Sequence, residues 1–175
     1  GERYPLDARY VCERCFGPLE VEYDLSAIDA SAVRARIESG PASIWRYADL
    51  LPFATPPASP LPVGLTPLVR ADRLAERLGL GEVWVKNDAA NPTHSFKDRV
   101  VAVAIAKARE LGYSVVACAS TGNLAQAVAA HAAAAGLDAY VFIPADLERE
   151  KVLATGVYGA KIVAVEGTYD DVNRL

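Results

Sequence analysis

The chain has 175 residues, of which 52% are hydrophobic and 23% are charged, and its formal net charge is −4. This length and apolar content suit a globular protein with one core, or one domain with an appendage. The 18 basic and 22 acidic residues form no basic stripe, and no apolar run is long enough to cross a bilayer, so neither nucleic acid nor a membrane is an expected partner.

Residues 1–60 are expected to form an irregular N-terminal extension. Its predicted elements are a CxxC knuckle at residues 12–15, a short strand over 19–24 and a helix from about Ala32 to Ser39. Ser31 is placed to cap that helix and Gly40 to end it. A proline-rich run over residues 52–62 excludes regular secondary structure and predicts a linker.

The cysteines bear on metal binding and on location. Cys12 and Cys15 have the spacing of half a zinc site, but no second pair of cysteines or histidines follows, so no metal is predicted. Cys118 falls in a predicted buried strand and is expected to belong to the core. Three cysteines are too few for a disulfide framework in a chain of this length, which favours a reducing, cytoplasmic setting.

From Leu65 onward, strands and helices alternate. The predicted strands are 82–88, 114–120, 138–144 and 160–167, and the predicted helices are 95–111, 123–135 and 146–156. Valine-rich strands that alternate with helices predict an α/β fold with a parallel sheet, which we assign to a domain over residues 61–175. The chain has no methionine and its last residues resemble the opening of a helix, so we expect a piece of a longer protein.

The stretch NPTHSFKDR, residues 91–99, places one lysine at the start of a predicted helix. Ser95 and Asp98 have the spacing of a capping box, which puts Lys97 in the first helical turn. Cations are favoured at the opposite end of a helix, so this position beside Phe96 suits a neutral, nucleophilic amine. The alternative is an ordinary surface lysine on a capped first turn.

The stretch ASTGNLAQAV, residues 119–128, runs from the end of a strand through a polar turn into a helix. Ligands of open α/β sheets bind at such strand ends, and a helix N-terminus offers free N–H groups to an anion. Ser120, Thr121 and Asn123 add polar side chains, and Gly122 lets the backbone approach a bound group. The turn therefore predicts a carboxylate or phosphate cradle, with a simple capped turn as the alternative.

Taken together, NPTHSFKDR and the following STGN resemble the paired signature of fold-type II pyridoxal 5′-phosphate enzymes, and among them the threonine synthases. YVCERCFGPLEVEYD and GLTPLVRADRL resemble further segments of threonine synthases, so the similarity covers nearly the whole chain. The resemblance implies a three-layer parallel-sheet fold, incomplete at the C-terminus of this chain, and pyridoxal 5′-phosphate as the cofactor.

The resemblance also implies roles for individual residues. Lys97 would form the Schiff base with the cofactor and move protons among the substrate carbons. Phe96 would pack near the pyridine ring, and Asn123 would hydrogen-bond the 3′ oxygen of that ring. Ser120 and Thr121, with backbone N–H groups of the turn, would receive the substrate carboxylate. The implied reaction, in threonine biosynthesis, converts O-phospho-L-homoserine and water into L-threonine and phosphate.

Other functions remain open at this point. The phosphate cup of the family lies downstream of the lysine, beyond Leu175, so we expect this piece alone to be inactive. A serine or threonine dehydratase, or a cysteine synthase-like enzyme, would share the chemistry of Lys97 and Asn123. A non-catalytic fragment that keeps the fold is a further alternative. The expected partner is the small-molecule substrate, and the resemblance allows a homodimer.

Overall fold

The computed structural model describes residues 2–5, 7, 9, 11–53, 57 and 61–174. Its helices are α1 (Ala30–Ser39), α2 (Asp72–Leu78), α3 (Lys97–Glu110), α4 (Asn123–Ala135), α5 (Arg149–Gly156) and α6 (Tyr169–Val172). Its strands are β1 (Leu68–Arg70), β2 (Trp84–Lys86), β3 (Val115–Ala119), β4 (Asp138–Pro144) and β5 (Lys161–Val165). Short 3₁₀ segments lie at Leu25–Ala27, Ile44–Leu50 and Asp88–Ala90.

A parallel sheet in the order β3-β4-β5 forms the frame of the C-terminal part. In β4, alternate residues are buried against α4 because successive side chains of a strand point to opposite faces. These are Ala139, Val141 and Ile143. The mixed α/β class and the parallel sheet predicted from the strand–helix alternation are thus confirmed.

Helix α4 packs between the sheet and helix α3. Its alanines let both neighbours come close, and Ala127 and Ala132 are completely buried. The helix ends where Gly136 takes the left-handed conformation and its N–H closes the last turn. The predicted bounds of α4 and β4 are therefore correct to the residue.

Strand β3 is not the buried strand that its apolar sequence predicts. Val115 is exposed, and Val116, Cys118 and Ala119 are only half-buried. The reason is tertiary, because β3 has a strand neighbour on one side only within the described sheet. Cys118 nevertheless packs against two core clusters, as expected, and burial raises the pKa of its thiol to about 11.

Strands β1 and β2 form a separate antiparallel ribbon, with Val69 opposite Val85. Only β2 was expected, as part of the region 82–88, and its antiparallel pairing departs from the parallel arrangement inferred for the domain. Helix α2, which connects the two strands, was not predicted either. It ends at Gly79, which is left-handed.

The N-terminal extension differs from expectation at two places. Residues 19–24, all of them described, form no strand, because no neighbouring segment supplies a ladder partner. Helix α1 is capped by Asp29, whose side chain accepts from the N–H groups of Ser31 and Ala32, and not by Ser31. Gly40 does end the helix, although in an extended conformation.

Three further expectations concern segment ends and spans. Helix α5 begins at Arg149 and not at residue 146. The predicted opening of a terminal helix is confirmed in α6, where Thr168 and Asp171 form a capping box. Much of the proline-rich run, at 54–56 and 58–60, lies outside the described residues. In the described part of the chain, no helix is long and apolar enough to span a bilayer.

Candidate active site

The loop before α3 buries polar side chains and exposes its apolar one. Asn91, Thr93 and Ser95 are buried, whereas His94 and Phe96, which follow Thr93 and Ser95, are exposed. The Asn91 side chain accepts a hydrogen bond from the Gly64 N–H at 3.0 Å and donates to a backbone carbonyl. Buried polar groups need such partners, so this loop is held in place by its hydrogen bonds.

The start of α3 differs from the predicted capping box. The helix begins at Lys97, and Ser95 Oγ accepts from the Lys97 N–H at 3.2 Å. The Asp98 carboxylate does not reach back to Ser95. Its Oδ2 accepts from the N–H and the hydroxyl of Thr93, each at 2.9 Å. Lys97 therefore lies in the first turn, as expected, but a different bond fixes that turn.

The amine of Lys97 lies at an accessible surface. The residue is half-buried, and its Nζ is 4.8 Å from the centroid of the Phe96 ring. Phe96 itself is 57% exposed, which is unusual for a large aromatic side chain. The two side chains together present an amine and an apolar ring surface to solvent.

His94 has the geometry of a turn residue. Its φ of +58° is in the left-handed region, and its N–H donates to the carbonyl of Asn91 at 2.9 Å. Its exposed ring lies 3.0 Å from the carbonyl of Ala89. These contacts identify His94 as a turn residue.

Arg99 anchors the other side of the lysine turn. Its guanidinium donates to both carboxylate oxygens of Asp88, at 3.0 and 2.8 Å, and Thr66 Oγ1 donates to the same carboxylate at 2.6 Å. The hydrogen bonds from Arg99, and then that from Thr66, lower the pKa of Asp88 to about 2. A forked arginine–carboxylate contact is both strong and directional.

We expect Asp88→Asn to destabilise the protein at neutral pH. Since the pKa of Asp88 falls from 3.8 to about 2 on folding, its charge stabilises the folded state above pH 3.8 by at most about 2 kcal/mol. That contribution is lost as the pH falls toward about 2. Urea unfolding of the whole protein at several pH values measures it, with Asp146→Asn at an exposed position as the control. A difference that persists below pH 2 would contradict the assignment.

The turn after β3 leads into a helix whose start carries no side-chain cap. Ser120 is buried, and its Oγ accepts from the Gly122 N–H at 3.4 Å. Thr121 is half-buried and Asn123 is exposed at the first position of α4. A Cβ built on Gly122 would meet no atom within 4 Å, so space is open beside the backbone. An uncapped helix start favours an anionic ligand.

Tyr169 is a further residue at this turn, and sequence reasoning missed it. Its hydroxyl donates to the carbonyl of Ala119 at 3.2 Å, directly before Ser120. The capping box of Thr168 and Asp171 sets the start of the helix that carries it. Local sequence gives no sign of a contact across 50 residues.

A second missed contact joins the two motifs inside the core. Asp98 Oδ1 lies 2.9 Å from Nε2 of His131, and both side chains are buried, at 0% and 4% exposure. The sequence motifs give no sign of this partnership, which joins residues 33 positions apart. Asp98 neighbours Lys97 in α3, and His131 follows Asn123 in α4, so the pair connects the two predicted parts of the site.

These groups suit the pyridoxal 5′-phosphate that the sequence motifs imply. The aldehyde of that cofactor requires a primary amine, which Lys97 supplies at an accessible surface. Asn123 supplies an exposed amide, and the uncapped start of α4 supplies N–H donors beside open space. The side chains and the backbone thus provide the right donor chemistry.

Comparison with known proteins agrees with this chemistry. Residues 60–175 match the family PALP, described as pyridoxal-phosphate dependent enzyme. The chain belongs to this family. The cofactor implied by the sequence motifs is therefore confirmed at the level of the family.

Two curated relatives of this chain are threonine synthases. The one from Methanosarcina acetivorans is 42% identical over 177 residues, which cover 100% of this chain. The one from Methanocaldococcus jannaschii is 39% identical and covers 98% of it. The chain spans 43% of the length of each relative. The resemblance to threonine synthases inferred from the motifs is confirmed.

The fold is shared with solved pyridoxal-phosphate enzymes. A pyridoxal 5′-phosphate-dependent aspartate racemase superposes with a TM-score of 0.54 at 30% sequence identity. The superposition covers 58% of this chain and 32% of the racemase chain. Because threonine synthases and a racemase both resemble this chain, the fold alone does not decide the reaction.

The cysteine knuckle of this pyridoxal-phosphate enzyme chain is a tight turn, in which the Cys12 N–H donates to the carbonyl of Gly17 at 2.9 Å. The hydroxyl of Tyr4 is 3.4 Å from Cys12 Sγ. This contact lowers the pKa of Cys12 to about 7 and raises the pKa of Tyr4 to about 12. Among the residues that the structure describes, no three acidic, cysteine or histidine side chains are grouped to hold a metal ion.

Proposed function

We propose that the chain is part of a threonine synthase, which converts O-phospho-L-homoserine and water into L-threonine and phosphate. The proposal rests on how much of this chain the similarity to threonine synthases covers. The similarity covers 100% of this chain, and so includes the cysteine knuckle and the other residues before position 60, where the match to the general family begins. A dehydratase or a cysteine synthase-like enzyme would need to share only the cofactor-binding part.

Lys97 is the proposed proton carrier of the reaction. Its amine takes a proton from the substrate α carbon and then one from the β carbon, and the electron pair left at the β carbon expels phosphate from the γ carbon. The γ carbon then gains a proton, water adds its hydroxyl at the β carbon and a proton returns to the α carbon, while the other proton of the water goes to the departing phosphate. Pyridoxal phosphate, when bound, supplies an electron sink for the charge that develops on these carbons. Phe96 beside the amine offers the apolar surface on which a flat aromatic ring packs.

The turn at residues 120–123 is the proposed binding site of the substrate and of one edge of the cofactor. Ser120, Thr121 and the backbone of Gly122 orient the substrate carboxylate at the uncapped start of α4. Asn123 donates from its amide to the 3′ oxygen of the cofactor ring. The exposed position of Asn123 supports this role.

The proposal includes a division into an extension, residues 1–60, and a cofactor-binding domain, residues 61–175. It also includes a small-molecule substrate, a homodimer and a cytoplasmic location. The last of these rests on the three free cysteines.

The product decides between the candidate functions. The whole protein, loaded with pyridoxal phosphate, should release phosphate from O-phospho-L-homoserine and form threonine in equal amounts. Ammonia and an oxoacid from serine or threonine would instead identify a dehydratase. Cofactor binding with no turnover of any of these compounds would leave a cysteine synthase-like enzyme or a non-catalytic protein.

A further inference from the structure

The contact between Asp98 and His131 is the most deeply buried polar interaction beside the candidate site. Asp98 is 0% exposed and His131 4%, with 2.9 Å between Oδ1 and Nε2. The second carboxylate oxygen is held by the N–H and hydroxyl of Thr93, which is itself buried. A buried carboxylate without such partners would be strongly unfavourable, so the three groups are held together.

The position of this pair links the two motifs of the site. Asp98 directly follows Lys97 in the first turn of α3. His131 lies in α4, the helix that begins at Asn123 and follows the turn 120–122. A change in the relative position of the two helices would therefore move the lysine with respect to the turn and would also break this hydrogen bond.

Helix α4 offers little else to fix its position along α3. Most of its residues are alanine, and its large buried apolar side chain is Val128. Small side chains form shallow ridges, which discriminate weakly between neighbouring packing registers. A single buried polar contact can specify a register that apolar packing leaves open. The hydrogen bond between Asp98 and His131 is such a contact. It forms only when α4 lies at one position along α3.

We propose that His131, acting through Asp98, is a positioning residue that sets the distance between the Lys97 amine and the turn that begins α4. The assignment deepens the proposed function and rests on it for the substrate. The claim about the distance between Lys97 and the turn does not depend on the substrate. It requires only that the chain belongs to the pyridoxal-phosphate enzyme family. His131 is buried in α4 and bonds to Asp98, so the assigned effect is on alignment and not on contact with the substrate. Misplacement of a reacting group by about 1 Å can lower a rate about a hundredfold.

The test compares replacements of His131 in the whole protein. His131→Leu fills the site but leaves Asp98 without its partner. In His131→Gln the side-chain amide can reach the place of Nε2, whereas in His131→Asn it cannot. Val128→Ala is the matched control, since it removes buried volume from the same helix and leaves the polar pair intact. Urea unfolding of each variant gives the effect on stability alone.

We expect His131→Leu and His131→Asn to lower kcat for phosphate release about tenfold to a hundredfold with little change in KM. His131→Gln should retain most of the native kcat. Val128→Ala should retain the native kcat even if its free energy of unfolding falls as much as that of His131→Leu. Independently of turnover, the visible absorption band of the bound cofactor, and its rate of reduction by borohydride onto Lys97, should change in the leucine and asparagine variants only.

Two results would overturn the proposal. One is a loss of kcat in Val128→Ala that matches the loss in His131→Leu at equal stability. The other is a native cofactor spectrum and a native reduction rate in His131→Asn and His131→Leu. If His131→Leu does not fold, the glutamine and asparagine pair gives the same comparison. Absence of phosphate release by the native protein would refute the proposed function only, because the spectrum and the reduction rate still test the alignment.

Discussion

Replacing Lys97 with alanine should lower turnover by the whole protein at least about a thousandfold. In the proposed function this amine both bonds covalently to the cofactor aldehyde and carries a proton between substrate carbons. The side chain is half-buried with its Nζ beside the ring of Phe96, so its removal disturbs little of the core. Folding should therefore be retained while activity is lost.

Two measurements check this expectation. Borohydride reduction of the native protein loaded with pyridoxal phosphate, followed by peptide mapping, should place the cofactor on the peptide that contains Lys97. The matched control is Lys151→Ala, which removes an exposed lysine that pairs with Glu148 on the surface. A cofactor label on another lysine, or full turnover by Lys97→Ala, would refute the assigned role.

Introducing a carboxylate at Val141 should prevent stable folding. Val141 is fully buried in the central strand β4, with Cys118 beside it in β3 and Ile162 beside it in β5. The apolar surroundings offer no partner for a charge, so Val141→Asp should cost at least about 4 kcal/mol. Soluble yield and the far-UV circular dichroism of the whole protein measure the loss.

Val157→Asp is the matched control, because Val157 follows α5 and is 75% exposed. The same substitution there should change the free energy of unfolding by no more than about 0.5 kcal/mol. Equal yields and equal unfolding midpoints for the two variants would show that β4 does not lie at the centre of the core.

The elements that local sequence describes well are those whose bounds depend on local chemistry. Helix α4 is an alanine-rich run that ends at Gly136, and β4 is an apolar run with alternate residues buried, so both could be predicted to the residue. Residues 19–24 have a strand-like sequence but no partner to pair with, and strand pairing is not a local property.

The same distinction applies to the candidate site. Lys97 and the turn 120–123 were identified from their motifs, and the structure places each at the start of a helix. The predicted capping box failed because Asp98 bonds to Thr93 and to His131, which lies 33 residues away. A short sequence pattern can predict that a position needs an acidic side chain. It cannot predict with which of several possible partners that side chain forms hydrogen bonds.

The buried polar side chains of the loop before α3 also affect how tightly a ligand can bind. Asn91 and Thr93 are already held by hydrogen bonds within the chain, so this loop needs no ordering when a ligand arrives. The loop loses its conformational entropy during folding and not during binding. The free energy gained from the ligand's contacts is therefore not reduced by the cost of ordering the loop. Loosening the loop, for example by Asn91→Ala, should therefore weaken cofactor affinity mainly through the entropy of binding, with the contacted atoms unchanged.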